Sequence, residues 1–450
     1  MQRYKLQKSF REFPTLIHTL LLVFTLNSGA TAFEAQILDG SQFHPVNQQK
    51  AKIGQLLFYD KILSGNRNIS CSTCHHPKHG GSDGLSLGIG EGGQGIGPKR
   101  NAGIGEQKIK KRIPRNATSL WNLGHKSITV VFQDGRLEVS DTYENGFNSP
   151  AEEWLPDGLR TLIEAQALFP LVAQFEMAGN PKENEIAGAV HDRIDAAWPI
   201  IAKRVRVIPE YAKMFVEAFD EIDRPEQITI VEIAKALGDF INFEWQSFDS
   251  PYDAFLKTGS PLSTNAEKGR QLFFGDAGCA TCHSGPLLSD QKFYALGLPA
   301  FGPGRTRRWD PMPRDVGRMG ESDNLDDAYR FKTPRLRNVA LTGPYGHNGA
   351  YPTLEGIVRH HLDPVKMRAT WKRDMAALPS VPWLEALDFV IQSDQYEMSR
   401  QASKLDIEPS HLSENQINNI IAFLESLTGE TALRGRLGQP NAVPSGLPID

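Results

Sequence analysis

Four cysteines and the histidines that follow them carry the first chemical signal in this 450-residue chain. They fall as Cys71-Ser-Thr-Cys74-His75 and Cys279-Ala-Thr-Cys282-His283, so every cysteine belongs to a C-x-x-C-H unit. Two thiols one helical turn apart can add to the two vinyl groups of one haem, and the next residue sets an imidazole under the iron. Four cysteines in an exported chain are otherwise read as two disulfides, and a bare C-x-x-C also serves zinc or thioredoxin-like chemistry. Neither alternative accounts for a histidine directly after each pair. The spacing predicts two covalently attached haems c, with His75 and His283 as proximal ligands.

The elements that must position these motifs are also legible. Gly54-Gln-Leu-Leu-Phe58 precedes the first motif and Gly269-Arg-Gln-Leu-Phe273 the second. Each reads as a short helix packing an aromatic ahead of the haem segment, giving two cytochrome-c-like haem domains in tandem. A Gly-rich basic loop runs from Gly80 to Arg115; it either lines a haem edge or substrate approach, or is a surface insertion. Periodicity predicts helices over 159–177, 186–198, 209–219 and 228–247, the last with Val231, Ala234, Leu237, Ile241 and Trp245 on one face. Pro251 and Gly259-Ser-Pro261 mark a boundary, which divides the mature chain into 33–255, 256–430 and a tail at 431–450. Residues 301–327 read as loop.

Thr353 can cap a helix whose apolar face is Leu354, Ile357 and Val358, continued by His361, while His360 lies about 100° round. Ser413 with Gln416 forms a capping box ahead of the stripe Ile417, Ile420, Ile421, Leu424 and Leu427. Strand signal is sparse. The expected fold is mainly α, with long loops around the cofactors.

The N-terminus reads as a secretory signal peptide. Arg3, Lys5, Lys8 and Arg11 precede an apolar run, Leu16 to Leu26, and the small-x-small site Ala30-Thr31-Ala32 places cleavage before Phe33. That run is short for a bilayer span, although an uncleaved anchor is the alternative. Removing residues 1–32 takes away four basic and one acidic residue, leaving 45 basic and 52 acidic, a net charge of −7. Such a chain is expected in the periplasm, without stable membrane insertion. Nothing in the composition points to a nucleic-acid partner; an acidic surface can steer a basic one.

Several further motifs resemble the bacterial di-haem cytochrome c peroxidase family, including its MauG branch, which oxidises residues of a partner protein. They are Ile69-Ser-Cys71-Ser-Thr-Cys74-His75, Arg115-Asn116-Ala-Thr, Phe132-Gln-Asp134-Gly135-Arg136, and Glu164-Ala-Gln166-Ala with Pro170 and Glu176-Met177. To these add the second motif with its Gly269-Arg-Gln-Leu-Phe273, and the run Thr333-Pro-Arg-Leu-Arg337-Asn338-Val-Ala-Leu-Thr342-Gly-Pro344-Tyr-Gly-His347. The resemblance spans about residues 50–430.

It implies that the N-terminal haem is the peroxidatic one, with Glu176 as acid–base group, Gln166 as orienting donor and Pro170 in the pocket wall. Read alone, Glu176 is a surface helix glutamate. It implies His361 as the second axial ligand of the C-terminal haem, where relatives carry methionine or tyrosine; the alternative is a buried structural histidine. Asn116, with the carbonyls of Thr342 and Pro344, matches a calcium site; Asn116 alone reads equally as a turn residue.

Two departures are informative. The donor-dependent branch closes the peroxidatic iron with a histidine after the first motif, but Ser86-Leu-Gly-Ile-Gly-Glu91 contains none, and His76 and His79 lie too near the attachment site. An open iron is therefore expected. The family's tryptophan before Asp-Gly-Arg is here Gln133, which cannot be oxidised to a radical, so electrons must tunnel directly between the haems or use another aromatic. The expected activity is peroxide reduction at the N-terminal haem with electrons relayed through the C-terminal one. The electrons would come from a small cytochrome or copper protein, or from residues of a protein substrate in the MauG manner. A non-enzymatic di-haem electron carrier is the alternative from a different class, and a disulfide-stapled binding protein a more distant one.

Overall fold

Each C-x-x-C-H segment follows a helix whose glycine is pressed against a later helix. The computed structural model describes residues 36–305 and 313–450; the expected signal peptide, 1–32, lies outside them. The helices that carry the argument are α1 (Gln48–Tyr59), α2 (Leu162–Val172), α3 (Ile230–Glu244), α4 (Thr264–Phe274), α5 (Leu354–Leu362) and α6 (Glu414–Glu425). In the first half α1 packs along α3, and a Cβ on Gly54 would overlap the Ala236 carbonyl. In the second half α4 packs along α6, and a Cβ on Gly269 would overlap the Asn419 carbonyl. One turn on, Phe58 lies 5.1 Å from Phe240 and Phe273 lies 5.1 Å from Phe423, between ring centroids. The sequence repeat is thus a structural repeat.

Two apolar clusters follow from these pairs. The larger gathers α1, α2 and α3 with Trp198, Phe215 and Phe219. The smaller gathers Tyr252, Phe273, Leu336, Ile420 and Phe423. Both lie within one compact unit, Phe33–Asp450. Residues 437–450 return to the larger cluster, where Val443 is buried and Leu437, Leu447 and Ile449 pack against it. The Glu244 carboxylate anchors that return by accepting from the N–H groups of Arg436, Leu437 and Gly438.

Strands are few and short, as expected. β1 (Val130–Val131), β2 (Leu137–Val139) and β3 (Phe147–Asn148) form an antiparallel meander with Val131 opposite Leu137 and Val139 opposite Phe147. Its first turn carries Asp134, Gly135 and Arg136. β4 (Phe293–Tyr294) pairs with β5 (Phe331–Lys332).

Two expected helices are interrupted. The segment 159–177 is not continuous: α2 ends at Val172, Ala173 is extended, and a wide π-type turn covers Gln174–Ala178. Pro170, in the last turn of α2, has no N–H to donate and disfavours continuation, while π turns recur at functional sites. The segment 186–198 stops at Asp192, and a new helix starts at Trp198 because Pro199 fits only a first turn. The Gly-rich loop is not a surface insertion. Leu85 and Ile89 are buried in a cluster with Ala102, Ile109, Val381 and Leu384.

The two glycine contacts set a test. Gly54→Ala and Gly269→Ala should each destabilise the haem-loaded protein by at least ~1–3 kcal/mol, because backbone has to move to admit a methyl group. Gly188→Ala, in the helix Glu185–Asp192 with only a 3.5 Å contact to meet, should instead stabilise by ~0.5–1 kcal/mol. Denaturant midpoints at constant slope distinguish the two signs.

Candidate functional site

The first motif forms a single helical turn, Cys71–Cys74, capped by Ser70, whose N–H donates to Thr73 Oγ1 (3.0 Å). His75 ends that turn, and its Nδ1 lies 2.9 Å from the Gly81 carbonyl oxygen. Donation to that carbonyl fixes the tautomer and leaves Nε2 as the free ligating atom. Gly80 and Gly81 both have positive φ, and a side chain at Gly81 would meet the ring of Trp245. Glycine is required here to bring the carbonyl under the imidazole.

The second motif repeats the arrangement. Its turn is Cys279–Thr281, and His283 Nδ1 lies 3.1 Å from the Leu288 carbonyl. Burial pushes the pKa of both proximal histidines down, that of His283 to about 4, so each is a neutral donor. All four cysteines are unpaired. Burial raises the pKa of each thiol, to about 12 for Cys71, Cys74 and Cys279, so the sulfurs sit as neutral groups. A thioether sulfur is neutral as well, whereas a zinc site needs thiolates. Among the described residues no cluster of three or more His, Cys, Asp or Glu could hold a metal ion.

The two motifs differ on their open sides. The His361 ring faces His283 with centroids 6.3 Å apart. Two metal–nitrogen bonds of about 2.0 Å on opposite sides of one ion give a centroid separation close to that. His361 Nδ1 is bonded to the Ile357 carbonyl one turn back (2.8 Å), which leaves its Nε2 free. His360 is excluded from this role, since Nδ1 meets the Tyr351 hydroxyl (2.9 Å) and Nε2 the Leu296 carbonyl (2.7 Å). Among the described residues no second histidine ring packs against His75 in the way that His361 packs against His283.

Glu176 lies in the wide turn after α2 and lines a cleft of about 220 Å³ with Lys111, Ile113, Phe175 and Arg305. It is close enough to Cys74 to raise that thiol's pKa. Burial raises the Glu176 pKa, and the positive charges of Arg136 and Arg305 hold the rise in check. Arg136 is itself placed by Asp134 (3.0 Å) and by stacking 3.7 Å over Phe132, which packs on Phe169 of α2. Gln166 is half-buried on α2, one turn before Phe169, and does not line the cleft. A larger groove, about 350 Å³, between α4 and α6 is lined by no cysteine or histidine of either motif.

Between the two halves lie cations that sequence reasoning did not single out. Lys332 and Arg335 are half-buried, make no salt bridge among the described residues, and have pKa values pushed down by desolvation to about 7 and about 10. Desolvated cations of this kind fit the propionates of a haem. Their place within the Thr333-Pro-Arg run was the available signal, but basic character alone does not indicate desolvation. Together with the neutral sulfurs and the locked histidines, they make a chain that fits two haems.

Asn116 and the 342–347 segment do come together: the Asn116 N–H donates to the His347 carbonyl (2.9 Å). Asn116 Nδ2 is taken by the Leu85 carbonyl (2.7 Å), leaving Oδ1 free, and the carbonyls of Thr342 and Pro344 accept no backbone hydrogen bond among the described residues. Gln133 occupies the inter-half position, with Nε2 on the Asn116 carbonyl (3.3 Å) and Oε1 buried without a partner.

Comparison with known proteins places the chain among di-haem proteins. Residues 48–260 match the family model for di-haem cytochrome c peroxidase. The chain is 26% identical to the methylamine utilization protein MauG of Methylorubrum extorquens, over 86% of this chain and 81% of that one. It is 30% identical to the cytochrome-c peroxidase IdrP1 of Denitromonas iodatirespirans, over 70% of this chain and 73% of that one. Among solved structures it resembles a MauG-like protein associated with microbial copper homeostasis, with a TM-score of 0.56 and 25% identity, covering 89% of this chain and 95% of the other. With two haem attachment motifs on a repeated helical frame and relatives of both kinds, this chain belongs to the di-haem cytochrome c peroxidase family.

Proposed function

We propose that this protein is a periplasmic peroxidase with two haem-bearing halves, in which hydrogen peroxide reacts at the N-terminal haem and electrons arrive through the C-terminal one. The observation that carries this reading is the asymmetry of the motifs. His283 faces a second imidazole, whereas among the described residues no second histidine ring packs on His75, and Glu176, near enough to Cys74 to raise its pKa, lines a cleft. A haem held by His75 would supply the redox chemistry that splits an O–O bond, and one held by His283 and His361 would be suited to passing electrons.

The chain's own residues supply the proton handling. Ionised Glu176 takes the proton from the near oxygen of peroxide and delivers it to the far one, so that the far oxygen leaves as water. Arg136 and Arg305 oppose the rise that burial imposes on the Glu176 pKa, favouring the ionised form in which it acts as that base. Gln166 is the proposed orienting donor and Pro170 part of the wall, on the strength of the family pattern. His75, His283 and His361 are the proposed iron ligands, and Asn116 Oδ1 with the Thr342 and Pro344 carbonyls a proposed calcium site of hard oxygen donors. Export rests on the N-terminal pattern; among the described residues no helix is long and apolar enough to cross a membrane.

The electron source divides the family. A small cytochrome or copper protein as donor gives peroxide removal; a protein substrate gives MauG-like oxidation. The missing histidine after the first motif favours the second, and Gln133 in place of tryptophan weighs against it. Stoichiometric hydrogen peroxide added to the fully ferric protein, without donor, tests the reading through the visible spectrum. A prompt spectral change is expected. No change until one haem is reduced would assign the chain to the donor-dependent peroxidases, and no reaction even then would leave an electron carrier.

Two substitutions test the named roles. Glu176→Gln should slow the peroxide reaction by roughly 10²–10⁴-fold. In the wild type the rate should fall with decreasing pH through a pKa above the ordinary carboxylate range, because protonation removes the base; the variant should lose that limb. His361→Met should raise the potential of the C-terminal haem and introduce a methionine-to-iron charge-transfer band. His360→Ala should leave axial ligation unchanged, as read by EPR.

A further inference from the structure

Gln133 removes the oxidisable ring from the usual position between the halves, yet electrons still have to cross. The rings nearest that position are Phe132, under Arg136, and Phe331, stacked on His347 at 3.6 Å. A phenyl ring is much harder to oxidise than an indole. An indole is available a short way off. Trp121 is buried, and its Nε1–H donates to the Gly80 carbonyl (2.9 Å). The adjacent Gly81 carbonyl holds His75 Nδ1 (2.9 Å), so two hydrogen bonds and one peptide link connect the indole to the first proximal histidine.

The other side of Trp121 reaches the second half. Its main-chain carbonyl accepts from Arg335 Nε (3.1 Å), and Arg335 Nη2 donates to the Ser119 carbonyl (3.1 Å). Arg335 follows Pro334, whose carbonyl is near enough to the His283 imidazole to raise its pKa. Covalent and hydrogen bonds therefore run from His75 through Trp121 to Arg335, and the chain continues to the Pro334 carbonyl near the His283 ring. Trp245 packs edge-on against Trp121 at 5.0 Å, and water is kept from both rings.

We propose that Trp121 is the inter-haem electron relay of this protein, on the proximal side of the N-terminal haem, in place of a ring at position 133. This rests on the di-haem peroxidase reading. The Trp121 indole gives one electron to the peroxide-oxidised N-terminal haem and becomes a cation radical, keeping its Nε1 proton because the Gly80 carbonyl is not a base. One electron from the C-terminal haem then restores the neutral indole. Two passages supply the two electrons that each peroxide consumes, and the external donor replaces both at the C-terminal haem. Trp245 packs the relay without carrying charge.

The test follows a single electron passage. In the haem-loaded protein, stoichiometric peroxide first oxidises the N-terminal haem, a flash with a photoreductant then supplies an electron at the C-terminal haem, and its arrival at the N-terminal haem is followed by absorbance. Trp121→Phe is expected to slow that step by an order of magnitude or more, Trp245→Phe to leave it unchanged, and Gln133→Trp added to Trp121→Phe to restore it. Transfer in Trp121→Phe as fast as in the wild type would overturn the proposal. So would equal slowing by Trp245→Phe, which would mark a packing effect. A wild type with both haems but no transfer between them would instead refute the electron-relay role of the C-terminal haem. Should Trp121→Phe fail to load haem, freeze-quenched EPR after peroxide decides. A radical signal narrowed by ring-deuterated tryptophan supports the relay, and its absence overturns it.

Discussion

The bond from Nδ1 of each motif histidine, His75 and His283, to a main-chain carbonyl is the constraint around which both halves are arranged. A metal-binding imidazole needs one nitrogen committed so that the other points at the metal in a fixed direction. A carbonyl can reach that place only if its loop turns sharply against the motif, and a side chain at the turn would collide with what lies beneath it. In the first half that requirement explains Gly81 with positive φ, Trp245 pressed against it, and Trp121 satisfying the neighbouring carbonyl. In the second half the same role falls to Leu288, one of the few non-glycine residues with positive φ.

From a shared frame the halves diverge where chemistry demands it. The helix pairs α1/α3 and α4/α6 keep the same glycine contact and the same aromatic pair, so the platform beneath each haem motif is equivalent. What differs is the element brought to the opposite face. The second half presents α5, on which His361 and His360 lie on different sides. One is left free to face His283; the other is fully used in tying the helix to Tyr351 and Leu296. In the first half no such helix faces the motif histidine among the described residues; at the end of α2 a proline and a π-type turn replace the regular helix with a segment whose Glu176 lines a cleft.

These differences show which features can be read from sequence. The haem motifs, the glycine–phenylalanine repeat, the caps at Thr353 and Ser413 and the His361 face depend on local spacing, and local spacing is written in the chain. The break after α2 was missed because apolar periodicity continues across it, and only Pro170 argues against a continuous helix. The Gly80–Arg115 segment looked equally like a surface loop because its contacts are with residues near position 380, a distance that no periodicity reports. Lys332 and Arg335 were invisible as site residues for a related reason. Cations are ordinarily solvated, and it takes the packing of two halves, with carbonyls from Ser119 and Trp121, to desolvate them.

The surroundings of Glu176 follow from the same trade between burial and charge. A carboxyl buried alone would stay protonated and be useless as a base near neutral pH; beside strongly held arginines alone it would be too weak a base to accept a proton. The protein sets these influences against each other. Desolvation in the cleft raises the proton affinity, and Arg136 and Arg305 lower it. Both arginines are also bound to Asp134, which absorbs part of their charge and fixes their positions. Asp134 therefore fixes the charges that act on Glu176, although it lies outside the cleft lining. This explains why the Asp134-Gly135-Arg136 turn, held by the small β1–β2–β3 meander, belongs to the site as much as the turn that carries Glu176.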